Sequence, residues 1–166
     1  VSASAASDAL NTIMFAGAIG TIAVMLFMIL YYRSYGLFAS FALVIYTILS
    51  LAVFKVIPNF TMSLAGIAGF ILSIGMAVDA NILIFERTKE ELKAGHGKME
   101  AINEGFKRAW TSIKDSNIST IITAIILYSF TSSFVKGFAL TLGLGVLVSM
   151  FSAIFVTRTM LKVFSR

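Results

Sequence analysis

An all-α, multi-spanning membrane helix bundle is the fold class that three features of the sequence predict. Hydrophobic residues make up 58% of the 166 residues and charged ones only 13%, about half the charged share of a soluble domain. A chain this small has too little interior to hide so much apolar sequence from water, and its mean hydropathy is +0.94. Uncharged runs of about 20 residues recur, each long enough to cross the hydrocarbon core. The basic residues fall between those runs and not within them. The expectation is one transmembrane domain over 1–166, with five transmembrane helices and a cytoplasmic interfacial amphipathic helix.

The first span, 9–32, is uncharged and reaches about 36 Å as a helix. It does not read as a signal peptide, because Asp8 precedes it where a basic segment would stand and no small-residue cleavage site ends it. The sequence opens at Val1 and not at Met, so an upstream region is expected. Arg33 with Ser34-Tyr35-Gly36 predicts a tight turn, followed by a second span over 37–54. Pro58 and Asn59 mark the next loop. The third span, 62–85, is interrupted only by Asp79 and Asn81. Residues 86–93 carry opposite charges three and four apart, so the third helix is expected to continue into water until Gly95-His96-Gly97 breaks it.

Beyond that break, Met99, Ile102, Phe106, Ala109 or Trp110, and Ile113 recur at helical spacing, with Lys98, Glu100, Glu104, Lys107 and Arg108 on the other face. This pattern predicts an amphipathic helix lying along the cytoplasmic membrane surface, within the polar segment 86–115. The fourth span is placed at 117–135, a turn at Lys136-Gly137, and the fifth span at 138–157. Seven basic residues between Arg87 and Lys114, together with Arg33, Arg158, Lys162 and Arg166, fall in one alternate set of loops; the other set holds only Lys55 and Lys136. The positive-inside rule therefore puts the N-terminus outside and the C-terminus in the cytoplasm of a multi-pass plasma-membrane protein.

Composition also excludes. The net charge of +5 follows from those flanking residues, and no basic stripe or nucleic-acid motif accompanies it. Without cysteine there are no disulfides or thiolate metal sites. No phosphate-binding loop or nucleophile–base set occurs, so no enzyme activity and no cofactor are expected. His96, alone between two glycines, is expected to be solvated and is no metal site.

Asp79 is the residue that carries chemistry. A charged carboxylate at membrane depth costs about 2.5–3.5 kcal/mol on insertion scales, and intramembrane acids are functional by default. Asp79 shares a helix face with Ala68, Leu72, Gly75 and Ile82, whose small members admit a neighbouring helix. The acid is then expected to be buried against protein, where its neighbours tune its proton affinity. The other reading is an acid that merely hydrogen-bonds a neighbouring helix. Asn81, on another face, is expected to bond across helices. Asn117, Thr120 and Thr123 form a short polar stripe that either supports Asp79 or satisfies local carbonyls. Gly66, Gly69, Gly75, Gly137, Gly143 and Gly145 suit close helix packing.

The run Gly66-Ile67-Ala68-Gly69, then Ile74-Gly75-Met76-Ala77-Val78-Asp79-Ala80-Asn81-Ile82-Leu83-Ile84-Phe85-Glu86-Arg87, with Gly105-Phe106-Lys107-Arg108-Ala109 and Val135-Lys136-Gly137-Phe138-Ala139-Leu140-Thr141-Leu142-Gly143, closely resembles the SecD side of the SecD/SecF protein-export family. That family is similar in fold to one half of the resistance–nodulation–division transporters. The resemblance covers most of 62–160. It implies the last five of six spans of a proton-motive-force-driven accessory factor for Sec-dependent export. It implies Asp79 as proton relay, protons as the coupling ion, and partners in a SecF-like half, the SecYEG translocon and a YidC-type insertase, within membrane lipid. The family's basic counter-residue belongs to the SecF half; Thr120 stands at the related place here. The family's usual Pro before the first glycine run is Ala65. The alternatives are half of a proton-coupled small-molecule or lipid transporter, or a non-coupled scaffold for the translocon.

Overall fold

The computed structural model describes residues 3–164. Every regular element among them is helical: α1 (Ala3–Tyr32), α2 (Ser34–Val56), α3 (Leu64–Lys93), α4 (Lys98–Phe130), α5 (Ser133–Ser152), a π-helical segment (Ala153–Thr157) and α6 (Arg158–Phe164). The last three form one continuous helix. Four stretches are long and apolar enough to cross a membrane: Ala3–Tyr32, Ser34–Val56, Leu64–Lys93 and Ser133–Phe164.

Local chemistry sets several boundaries. The Ser63 hydroxyl accepts the Gly66 N–H at 3.0 Å and caps α3, and Ala65 is accommodated inside that first turn. Asn59 (φ 57°), in the loop with Pro58, and Gly95 (φ 95°) adopt left-handed backbone between helices. α3 runs to Lys93 as expected, because no residue in 86–93 breaks the helix.

Other expectations are corrected. The first turn is a single residue, Arg33, and Gly36 lies inside α2, where a Cβ would overlap the Met28 carbonyl of α1. The turn lies at Thr131-Ser132 and not at Lys136-Gly137, since Lys136 and Gly137 belong to α5. The fourth span and the amphipathic helix are one unbroken helix, α4. Charge density marks a change of solvent; without Pro or a terminal Gly, nothing stops the hydrogen-bond ladder between residues 98 and 130. The amphipathic face is buried at Ile102, Phe106, Ala109 and Ile113, whereas Met99, placed on it by spacing, is exposed in the first turn of α4. The buried face joins Ile84 and Phe85 of α3 and Leu161 of α6 in the core, so its apolar side packs on protein.

α3 is the centre of the bundle. Gly69 of α3 meets Phe138 of α5, and Ser73 meets Gly145, so α3 and α5 run parallel. Gly105 of α4 meets Thr88 of α3, and Gly143 of α5 meets Ala124 of α4; α4 therefore runs antiparallel along both. α1 buries only Met28 and Tyr32 and exposes Phe15, Ile19, Ile22 and Leu30, as a helix apolar on all sides does in lipid.

Candidate functional site

The candidate residues of α3 sit on two of its faces. On one, Ala77, Ala80, Asn81, Ile84 and Thr88 are buried against the rest of the chain. On the other, Ala68, Leu72, Gly75 and Asp79 are all exposed. A Cβ on Gly75 would meet no atom within 4 Å. Among the described residues Gly75 thus has no close packing partner, unlike Gly66, Gly69, Gly137, Gly143 and Gly145. Gly69 faces the Phe138 carbonyl, and Gly137 would press a Cβ to 2.5 Å from the Ser63 hydroxyl. Gly66 lies near Ser63 and Thr141, Gly143 beside Ala124, and Gly145 beside Ser73.

The expectation of a buried Asp79 is corrected accordingly: this chain alone leaves it exposed. The physical reason is that α4 and α5 already occupy the other sides of α3. α1 runs beside Gly75 without closing on it, and it does not line the cleft at Asp79. Asp79 lines a cleft of about 200 Å³ between α3 and α4 with Met76, Ala80, Leu83, Ile113, Ser116 and Asn117. None of these is basic, and among the described residues Asp79 has no hydrogen-bond or ion-pair partner.

The polar stripe of α4 divides. The Thr120 hydroxyl donates to the Ser116 carbonyl at 3.2 Å and that of Thr123 to Ser119 at 3.0 Å; both satisfy local backbone. Asn117 is buried and lines the cleft with Asp79.

Asn81 bonds elsewhere. Its Oδ1 accepts the Thr157 hydroxyl at 2.7 Å, both residues being buried. Thr21, Thr47 and Thr88 donate to the carbonyl four residues back, as an α-helix permits. Thr157 ends the π segment, whose widened register displaces that carbonyl, and its hydroxyl bridges to α3 instead. Two further cross-helix bonds escape sequence reasoning. Ser73 donates to the Phe70 carbonyl at 2.6 Å and so accepts the Tyr46 hydroxyl, also at 2.6 Å. Thr141 donates to the Gly66 carbonyl at 2.7 Å. Hydroxyls inside apolar runs were the available signal, but their partners lie 27 to 76 residues away.

Beyond the apolar part of α3, ion pairs tie it to α4. Arg108 reaches Glu91 at 2.5 Å and Glu90 at 3.0 Å, and Arg87 pairs with Glu90 at 2.9 Å. His96 Nδ1 stands 2.9 Å from Glu91 Oε2, so His96 is not simply solvated. The Arg87 guanidinium on Glu90 holds that carboxyl below its usual range, with Arg108 adding to the effect. No cluster of metal-ligating side chains occurs among the described residues.

These features define an all-helical membrane protein with four helices long and apolar enough to cross a bilayer and one acid on an exposed helix face. The chain belongs to the family described as protein export membrane protein SecD/SecF, C-terminal, whose pattern matches residues 1–166. It is 58% identical to the protein translocase subunit SecD of Thermobaculum terrenum, over 98% of this chain and 32% of that protein. It is 50% identical to SecD of a Synechocystis species, over 98% of this chain and 34% of that one. Its fold matches the crystal structure of SecDF, a translocon-associated membrane protein from Thermus thermophilus, with a TM-score of 0.90 and 39% identity, over 95% of this chain and 22% of that one. SecDF in a super-membrane-facing form matches with a TM-score of 0.88. The chain thus spans about a third of the length of the curated relatives it matches.

Proposed function

We propose that this chain is the membrane half of a proton-motive-force-driven accessory factor for Sec-dependent protein export, with Asp79 as proton relay. The observation that carries the reading is the placement of Asp79. It lies on the uncovered stripe Ala68–Leu72–Gly75–Asp79, where a second helix can approach closely. A carboxylate at this depth is costly in lipid. A SecF-like half bringing a basic residue to the stripe would cover it and stabilise its charged form. Protonation then removes the attraction, and the two halves can shift relative to each other. The SecYEG translocon, a YidC-type insertase and lipid are the surroundings of such an assembly, in the plasma membrane.

The same reading makes α4 the fifth crossing. Its run antiparallel to α3 and α5 supports this, although its apolar part, 118–130, reaches only about 20 Å. The short span leaves Ser116 and Asn117 at the depth of Asp79. The basic flanks put the N-terminal end outside and the C-terminal end in the cytoplasm.

The test is Asp79→Asn in the full-length protein, with preprotein export measured in vesicles at imposed proton-motive force. The expected result is loss of the proton-dependent part of export. Export that keeps its full proton dependence overturns the relay and leaves the non-coupled scaffold.

A further inference from the structure

We infer that Asn117 is the positioning residue for Asp79, an amide N–H that receives the carboxylate in its ionised form. The inference rests on the relay reading of Asp79. Asn117 is only 5% exposed, yet its Nδ2 has no hydrogen-bond partner. A buried donor without an acceptor is rare in folded proteins and points to a partner absent in the state observed. The α3–α4 cleft holds the complement. Asp79, on the opposite wall, offers acceptor oxygens that are themselves without a donor, and both residues line the same space of about 200 Å³. Water occupies about 30 Å³ per molecule, so the cleft has room for a bridging water or for a direct approach.

The neighbouring polar groups do not compete. Ser116 donates to the Ile113 carbonyl at 3.1 Å, and Thr120 and Thr123 bond their own turns. Asp79 is the only ionisable group among the lining residues. Of the elements around the cleft, α4 carries Lys114 and Asp115 close by in sequence, but both are exposed and neither lines it. α5 has a single ionisable residue, Lys136, in its first turn.

An amide N–H donates more strongly to a carboxylate than to the remaining carbonyl oxygen of a protonated acid. The contact therefore favours the ionised state and weakens when a proton from water binds a carboxyl oxygen. Loading Asp79 loosens one link between α3 and α4 on the face where a partner helix would dock.

The test follows the infrared carboxyl band of Asp79, identified by its disappearance in Asp79→Asn, as pH is varied in the full-length protein in lipid. In Asn117→Leu the titration midpoint is expected to rise by about one pH unit, a tenfold change in proton affinity, as an ionised acceptor loses a donor. Asn117→Gln, which keeps the amide, is expected to hold the midpoint close to that of the unaltered protein. Asn117→Ala serves in place of the leucine variant if far-UV dichroism shows that the latter misfolds. A midpoint unchanged in the apolar variants overturns the inference even if Asp79→Asn abolishes proton-dependent export. A shifted midpoint alongside unaffected export in Asp79→Asn keeps the pairing and removes the relay.

Discussion

The bond between Asn81 and Thr157 offers the sharpest test of the packing. Both residues are buried, at 5% and 2% exposure, and the bond joins α3 to the π segment. Thr157→Val keeps the side-chain volume and removes only the donor. Asn81 Oδ1 is then left unsatisfied in a dry interior, at a cost of about 1–3 kcal/mol. Asn81→Leu leaves a hydroxyl that can turn to a nearby carbonyl, so its polar cost is smaller. Interhelical hydrogen bonds in membrane proteins couple by about 0.6 kcal/mol on average and up to about 1.7. The double-mutant cycle is therefore expected to show a coupling of about 0.6–1.7 kcal/mol. Equilibrium unfolding of the full-length protein in mixed micelles, followed by far-UV dichroism, measures it. Single effects that add within about 0.3–0.5 kcal/mol, the ordinary range for independent sites, refute the claim that the π segment exists here as a place where a threonine turns away from its own helix.

Two further expectations follow from the geometry. Gly145→Val places methyl groups against the Ser73 side chain, where even a Cβ would stand 2.5 Å from the serine Cβ; about 1–3 kcal/mol of destabilisation is expected. Gly75→Ala, facing open space in this chain, should leave the unfolding midpoint of the full-length protein without its partner half almost unmoved, and equal effects at the two sites would contradict the packing. Glu90, whose carboxyl is held low by Arg87, stabilises the folded α3–α4 corner above the ordinary carboxylate pKa. That contribution is lost as pH falls through the lowered folded value. A Glu90→Gln protein should lack this acid-side decline in stability, and identical pH profiles for the two proteins would argue against the contribution.

Much of this protein is legible one residue at a time. Apolar runs, flanking charges and the scarcity of Pro predict helices in nearly the right order, the extension of α3 to Lys93 and the break at 95–97. Helical spacing alone assigns Ala68, Leu72, Gly75 and Asp79 to one face of α3, and Ile102, Phe106, Ala109 and Ile113 to one face of α4. These are local properties, carried by neighbours within two turns. The tertiary structure decided what each face meets. It joined 98–116 and 118–130 into one helix packed on α3, turned Gly75 outward while Gly69 and Gly145 were pressed against α5 and α3, sent Asn81 to Thr157, and left Asp79 uncovered. Such outcomes depend on contacts between residues up to 76 positions apart, for which hydropathy and spacing hold no register. Asp79 is exposed for the same reason, since a helix face is covered only where the fold brings another helix onto it.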